Sequence, residues 1–269
     1  MIAIGLIATI TAAACLHVWS YRCYQRRIAS AIGALYEPGA GGAGKSADVP
    51  AIVRRFAERA QADNRTGPGI VQIRQRGEMR MSPQGRWRSF TAQQYFAVQQ
   101  PGFVWIANVH AAPMINVCVV DSYIGGAALL EARLMGSIPL AKVTGPELDR
   151  GELMRYLAEL VWNPGAFSIN STIDFETLDN GAVAACVADV PVQLWFDEHG
   201  DIRRVYAHDR PRTVGKTTVP TPWEGRFSDY AEMHGHRIPR RGEAAWLLEE
   251  QRFTYWRGEV IEISVDPIA

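Results

Sequence analysis

Gly151–Phe167, GELMRYLAELVWNPGAF, is the stretch whose reading decides the fold. Leu153, Leu157, Leu160 and Val161 recur at helical spacing and make one apolar stripe. Glu152, Arg155 and Glu159 fall on the opposite side. Asp149 and Glu152 have the spacing of a capping box. Asn163-Pro164-Gly165 ends the helix, because proline disfavours helical geometry in the residue before it. A helix with one apolar face has to cover something apolar, and the neighbouring strands are the surface on offer. Arg155 and Glu159, four apart, can pair along the helix. Solvated, such a pair contributes only about 0.3–0.5 kcal/mol. Partly buried, it anchors the helix or faces a cavity. The sequence leaves both readings open.

Outward from the helix, the pattern changes to period two. Upstream, Ile70–Arg74, Arg86–Ala92, Phe103–Ala107 and Met114–Tyr123 read as strands, followed by two short runs within Ala127–Val143 broken at Gly136. Downstream, Ala182–Val192, Gln193–Phe196, Ile202–Ala207, Thr221–Tyr230, Ala244–Leu248 and Phe253–Val265 continue the series. Asp179-Asn180-Gly181 and Asp197–Asp201 read as hairpin turns. Repeated hairpins with few helices predict an α+β fold: a large, curved antiparallel sheet covered by the central helix. Its domain is expected over 48–269, with helices near 49–62 and 147–162. The first of these carries an apolar stripe of Val49, Ile52, Val53, Phe56 and Ala60.

The N-terminus is read separately. Ile2–Trp19 is uncharged and mostly apolar, and eighteen helical residues span about 27 Å, just enough for a bilayer core. Trp19 and Tyr21 then suit the interface, and Arg22, Arg26 and Arg27 follow. No lysine or arginine precedes the apolar run, against a cleaved signal peptide. Residues 1–27 are therefore expected to form an uncleaved transmembrane anchor. A juxtamembrane segment and glycine-rich linker would occupy 28–47. The protein would be single-pass, with the side of the globular domain unsettled. Gly39–Ser46, GAGGAGKS, has the spacing of a phosphate loop. No strand precedes it, Pro50 would break a helix begun at Lys45, and no parallel unit follows, so it reads as linker.

Charge and composition narrow the function. Lysine plus arginine equals aspartate plus glutamate at 28 each, which argues against nucleic acid as a partner. Cys15, Cys23, Cys118 and Cys186 have no metal-site spacing, and a Cys118–Cys186 disulfide stays open. His234-Gly235-His236 is the one close histidine pair, and no third ligand stands near it. There is no nucleophile elbow, HExxH or catalytic cysteine signature. No cofactor or metal is expected. Aromatic residues spread over nearly all the strands are mostly core material. A bent sheet closed by a helix can also leave a concave apolar pocket.

Several motifs stand out across the domain. They are Gly85-Arg86-Trp87 with Phe90-Thr91-Ala92-Gln93, Pro101-Gly102-Phe103-Val104-Trp105, and Asp121-Ser122-Tyr123 with Gly125. Arg155-Tyr156-Leu157-Ala158-Glu159 with Trp162-Asn163-Pro164 is the most specific, and Trp223-Glu224-Gly225, Asp229-Tyr230 and Ile238-Pro239 complete the set. Together these motifs resemble a bacterial membrane-associated family of unknown function, and the resemblance implies a membrane-associated protein without assigned chemistry. More loosely, strands around a covering helix are similar to the lipoprotein-carrier fold, an unclosed barrel that shelters acyl chains. That likeness implies an extracytoplasmic domain with Arg155 and Glu159 on the lid helix, and it supplies no catalytic residue.

The expectation is therefore a membrane-anchored, non-enzymatic domain binding a lipid or other apolar ligand. Trp87, Trp105, Leu157 and Trp195 are its pocket or core positions, and Arg155–Glu159 is a structural ion pair. The alternatives are a hydrolase-like enzyme using Asp121 or Glu159 with a histidine, and a structural envelope protein with a filled interior. Oligomeric state is not legible.

Overall fold

The computed structural model describes residues 2–37, 49–60 and 69–267. The glycine-rich stretch Gly39–Ser46 and the expected end of the 49–62 helix lie outside the described residues. In chain order the elements begin with α1 (Ile2–Ala34) and α2 (Ala51–Ala60). Six strands follow: β1 (Gly69–Met79), β2 (Arg88–Ala97), β3 (Gly102–Ala112), β4 (Ile115–Ile124), β5 (Ala127–Leu134) and β6 (Ile138–Val143). Then come α3 (Pro146–Glu159), a 3₁₀ turn (Leu160–Trp162) and α4 (Ala166–Ile169). The chain finishes with β7 (Asp174–Thr177), β8 (Val183–Val187), β9 (Val190–Phe196), β10 (Ile202–Val214), β11 (Thr217–Met233), β12 (His236–Leu248) and β13 (Gln251–Pro267).

All thirteen strands join one sheet in the order β6-β5-β4-β3-β2-β1-β13-β12-β11-β10-β9-β8-β7. Each neighbouring pair is antiparallel; the β1–β13 pair brings the last strand beside the first. The sheet curls into a half-barrel with helices on its faces. Glycine helps it do so. Gly77, Gly258 and Gly242 stand opposite one another on β1, β13 and β12, flanked by Phe90 and Phe227 in the same row. Over this strip lie aromatic rings: a Cβ on Gly258 would come within 2.6 Å of Trp256, and one on Gly242 within 3.0 Å of Trp162. Phe90 stacks on Trp256 at 5.8 Å, and Trp162 meets Phe227 edge-on at 5.3 Å. The glycine strip gives these rings their space.

The concave side holds α3. Leu153, Leu157, Leu160 and Val161 are all buried in the main core. The helix start differs from the capping-box expectation. Pro146 takes the first turn after Gly145, and Asp149 Oδ1 instead accepts a hydrogen bond from the Ala128 N–H at 2.6 Å. Proline is well suited there, since the first helical N–H groups have no partner to lose. At one end of the half-barrel α2 plugs the opening. Phe56 packs edge-on against Phe167, Phe196 and Tyr230, and Arg59 and Arg237 both bind the Asp201 carboxylate.

The transmembrane expectation is overturned. Among the described residues no helix is long and apolar enough to cross a membrane. The physical reason lies in what α1 does after its first turns. It runs through Arg22, Arg26 and Arg27 without a break and docks on the outer face of the sheet. Tyr24, Ile28 and Leu35 are buried there against Ile70, Ala97, Val104 and Val120. Ser20 Oγ donates to the Ser137 carbonyl at 2.8 Å, and Arg27 pairs with Glu131 at 3.1 Å. Tyr24, from the stretch read as anchor, and Ile28 and Leu35, from the stretch read as juxtamembrane segment, are thus sheet-packing residues, while Leu16, Val18 and Trp19 stay exposed. Attachment to a membrane through this helix, a membrane-anchored function and a single-pass location have no support. Covered inside by α3 and outside by α1, β3 buries Phe103, Val104 and Trp105 in succession.

Candidate functional site

Three polar residues of α3 are largely withdrawn from solvent. Glu152, Arg155 and Glu159 follow one another at helical spacing along the side of α3 that overlooks the concave sheet. Between that side and the strands lies a cavity of about 600 Å³. Its sheet wall carries Trp105 from β3, Asp121 from β4 and Leu130 from β5. The far wall carries Arg210, Trp223, Trp246, Tyr255 and Trp256 from β10 to β13. The lining continues past Met81, Val214 and Leu248, so the cavity extends towards the β1–β2, β10–β11 and β12–β13 hairpin ends, opposite the end that α2 plugs.

On the helix side of the cavity is a buried charge cluster. Arg155 donates from Nη1 to Asp121 Oδ2 at 2.5 Å and from Nε to Glu159 Oε1 at 2.9 Å. Its guanidinium also lies 4.9 Å from the Phe103 ring and 5.2 Å from the Trp105 ring. Gln94 Nε2 donates to Glu159 Oε2 at 2.5 Å. Arg210 Nη2 donates to Glu152 Oε1 at 3.1 Å and sits 4.7 Å over Trp223. Tyr255 accepts from the Trp223 indole N–H at 3.0 Å, which fixes that ring. Arg155 and Glu159 each leave only 14% of the side chain exposed, so their pairing operates in a low-dielectric setting.

Electrostatics follow from burial. Desolvation and the neighbouring Glu152 push the Asp121 carboxyl well above the ordinary range, outweighing Arg155 and Arg210. Burial acts to lower the Arg155 guanidinium, but Glu159, Asp121 and Glu152 hold it above its usual value, so it stays charged.

The residues singled out in the sequence are dispersed. Trp105 lines the cavity, and its indole N–H donates to Gln75 Oε1 at 3.0 Å. Leu157 is fully buried in the core packing behind α3. Trp87 stands on the β1–β2 connection between Arg80 and Arg257, whose guanidiniums lie 4.6 and 4.4 Å from its ring. Trp195 lies near Arg204, 5.9 Å from its ring. Neither is among the cavity-lining residues. Arg210, Glu152, Trp223, Trp246 and Trp256 complete the site, and the sequence reading assigned none of them to it. No histidine lines the cavity, so Asp121 and Glu159 meet a guanidinium rather than a base. Among the described residues no group of three or more His, Cys, Asp or Glu is arranged to hold a metal ion. The four cysteines are free.

Residues 42–258 match a family of unknown function, DUF6544. The chain belongs to that family. The whole cavity lining, from Met79 to Trp256, falls inside the DUF6544 segment. Comparison with curated proteins finds no match. Among solved structures, a LolA superfamily protein from Nitrosomonas europaea is similar at 11% identity, with 81% of this chain and 94% of that chain covered and a TM-score of 0.42. A DUF1329 family protein from Desulfovibrio piger is similar at 9% identity, covering 80% of this chain and 90% of that one, with a TM-score of 0.45. These are weak likenesses in fold to the lipoprotein-carrier type.

Proposed function

We propose that this protein is a binding domain that takes up one small molecule with an apolar body in the cavity between α3 and the sheet. The observation that carries the reading is the lining itself. Trp105, Trp162, Trp223, Trp246 and Trp256, five of the eight tryptophans in the chain, border one cavity of about 600 Å³. Ligand sites fall at about 300–1,000 Å³ and combine aromatic walls with a few placed polar groups, as here. A site of this kind works by shape and desolvation. Each buried methylene contributes about 0.8 kcal/mol. No nucleophile–base pair stands in it, which favours binding over hydrolysis.

Titration with N-phenyl-1-naphthylamine, a neutral apolar probe that fluoresces when shielded from water, tests this. Saturable one-to-one binding is expected. Ala244→Trp, which fills space in the cavity wall, should weaken it at least tenfold while leaving thermal unfolding within a few degrees. Absence of binding, or binding indifferent to that substitution, would refute the reading.

A further inference from the structure

We infer that the ligand of this cavity carries a primary ammonium group at one end, received by Asp121 and Glu152. This inference rests on the apolar-ligand reading above and adds the chemistry of the head.

The cluster beside α3 contains three carboxylates, Asp121, Glu152 and Glu159, and two guanidiniums, Arg155 and Arg210. Fully ionised, it carries one negative charge in excess. The hydrogen bonds are unequally shared as well. Both oxygens of Glu159 are occupied, one by Arg155 and one by Gln94. Asp121 and Glu152 each have one oxygen engaged, and their other oxygens, Asp121 Oδ1 and Glu152 Oε2, are buried without a hydrogen-bond partner. The Arg155 Nη1 lies 3.6 Å from Glu152 Oε2 and is already given to Asp121. Both residues line the cavity and are about 95% buried, at 6% and 5% exposure.

Unpaired buried acceptors of this kind are uncommon and costly in folded proteins. The two arginines cannot relieve them by moving. Arg155 is held by Asp121, Glu159 and two aromatic rings, and Arg210 by Glu152 and the Trp223 face. A compact cation with several donors would satisfy both oxygens, and an ammonium supplies three. The terminal carboxylate torsions are soft, so either oxygen can turn to a group arriving through the cavity. Beside Asp121 and Glu152 a carboxylate or phosphate head would meet like charge, although Arg80, Arg212 and Glu243 also line the cavity and balance its charges overall. Desolvation and the neighbouring Glu152 raise the Asp121 carboxyl, the same electrostatic demand for positive charge that a bound cation would meet.

Competition among three ligands of one chain length decides the matter. Decylamine, decanol and decanoate are titrated against bound N-phenyl-1-naphthylamine at neutral pH. Decylamine is expected to displace the probe at least tenfold more effectively than decanol, with decanoate weakest. Asp121→Asn and Glu152→Gln should each bring decylamine close to decanol; the wild-type ranking decides alone if neither variant folds. Equal displacement by decylamine and decanol overturns the ammonium assignment and leaves the apolar site standing. Strongest displacement by decanoate also overturns it. Failure of all three, together with failure of the probe to bind, overturns both.

Discussion

Arg155 on α3 and Asp121 on β4 meet at 2.5 Å inside the half-barrel, 34 residues apart in sequence, and this contact ties the covering helix to the sheet. Removing one member of a buried ion pair typically costs about 3–5 kcal/mol, because the other charge is left without compensation. Arg155→Met should therefore lower the stability to urea by an amount in that range. Asp121→Asn added to Arg155→Met should recover part of the loss, since one of the stranded carboxylates is then gone. An Arg155→Met protein as stable as the parent would show that the cluster does not hold the helix.

The elevated Asp121 carboxyl has a defined consequence for pH. Its native form retains a proton after the unfolded chain has released one, near pH 3.9. Its contribution to stability is thus fully present below that value and is lost as pH rises through the native value. The cluster titrates as a unit, so the window belongs to the group rather than to one residue. Urea midpoints of the parent and of Asp121→Asn, measured from pH 4 to pH 8, should diverge, with the parent losing ground to the variant as pH rises. Parallel curves would contradict the assignment.

Gly77 sits where backbones approach closely. A Cβ there would lie 2.2 Å from the Arg257 carbonyl oxygen and 2.8 Å from the Phe90 ring. Neither neighbour yields easily, because one is main chain in the paired strand and the other is packed under Trp256. Gly77→Ala should destabilise the protein by about 1–3 kcal/mol or more through overpacking. Thermal unfolding reads this directly.

Tyr24 separates the docked helix from a free one. Its ring is 2% exposed and lies under Arg133 at 4.9 Å, while its hydroxyl is buried with no hydrogen-bond partner. Tyr24→Ala should cost about 3–5 kcal/mol, the usual loss for a large buried aromatic ring. Tyr24→Phe should be neutral or mildly stabilising, because it removes an unsatisfied polar atom. Equal, negligible effects of both in urea unfolding would mean that α1 does not pack on the sheet.

The sheet was largely legible because period-two runs are bounded by turn residues. Asp179-Asn180-Gly181 and Asp197–Asp201 do connect β7 to β8 and β9 to β10. The apolar stripe of α3 was legible for the same reason of period. Its other side was not. Leucine spacing tells which face is apolar, but it is silent on whether a charged face is enclosed. The enclosing strand β10 was cut short at Ala207 in the reading, since Asp209-Arg210-Pro211 has turn composition. In the fold Pro211 lies opposite Pro220 in a long hairpin, and Arg210 reaches Glu152. Edge strand β7, Asp174–Thr177, is short and mostly exposed, so it left no apolar signal. The glycine strip exists only once Gly77, Gly258 and Gly242 are paired across strands. The docking of α1 was not legible because its sheet-packing residues, Tyr24, Ile28 and Leu35, follow the apolar N-terminal run, whose Leu16, Val18 and Trp19 stay exposed.

Crystals grown with 10-bromodecylamine offer the most direct measurement of where a ligand sits. Anomalous scattering should place bromine in the cavity, towards the Met81 and Leu248 end, with the nitrogen end of the density at Asp121 and Glu152. Bromine on the outer face of the sheet, or a cavity closed by side chains in crystals soaked to saturation, would contradict the account.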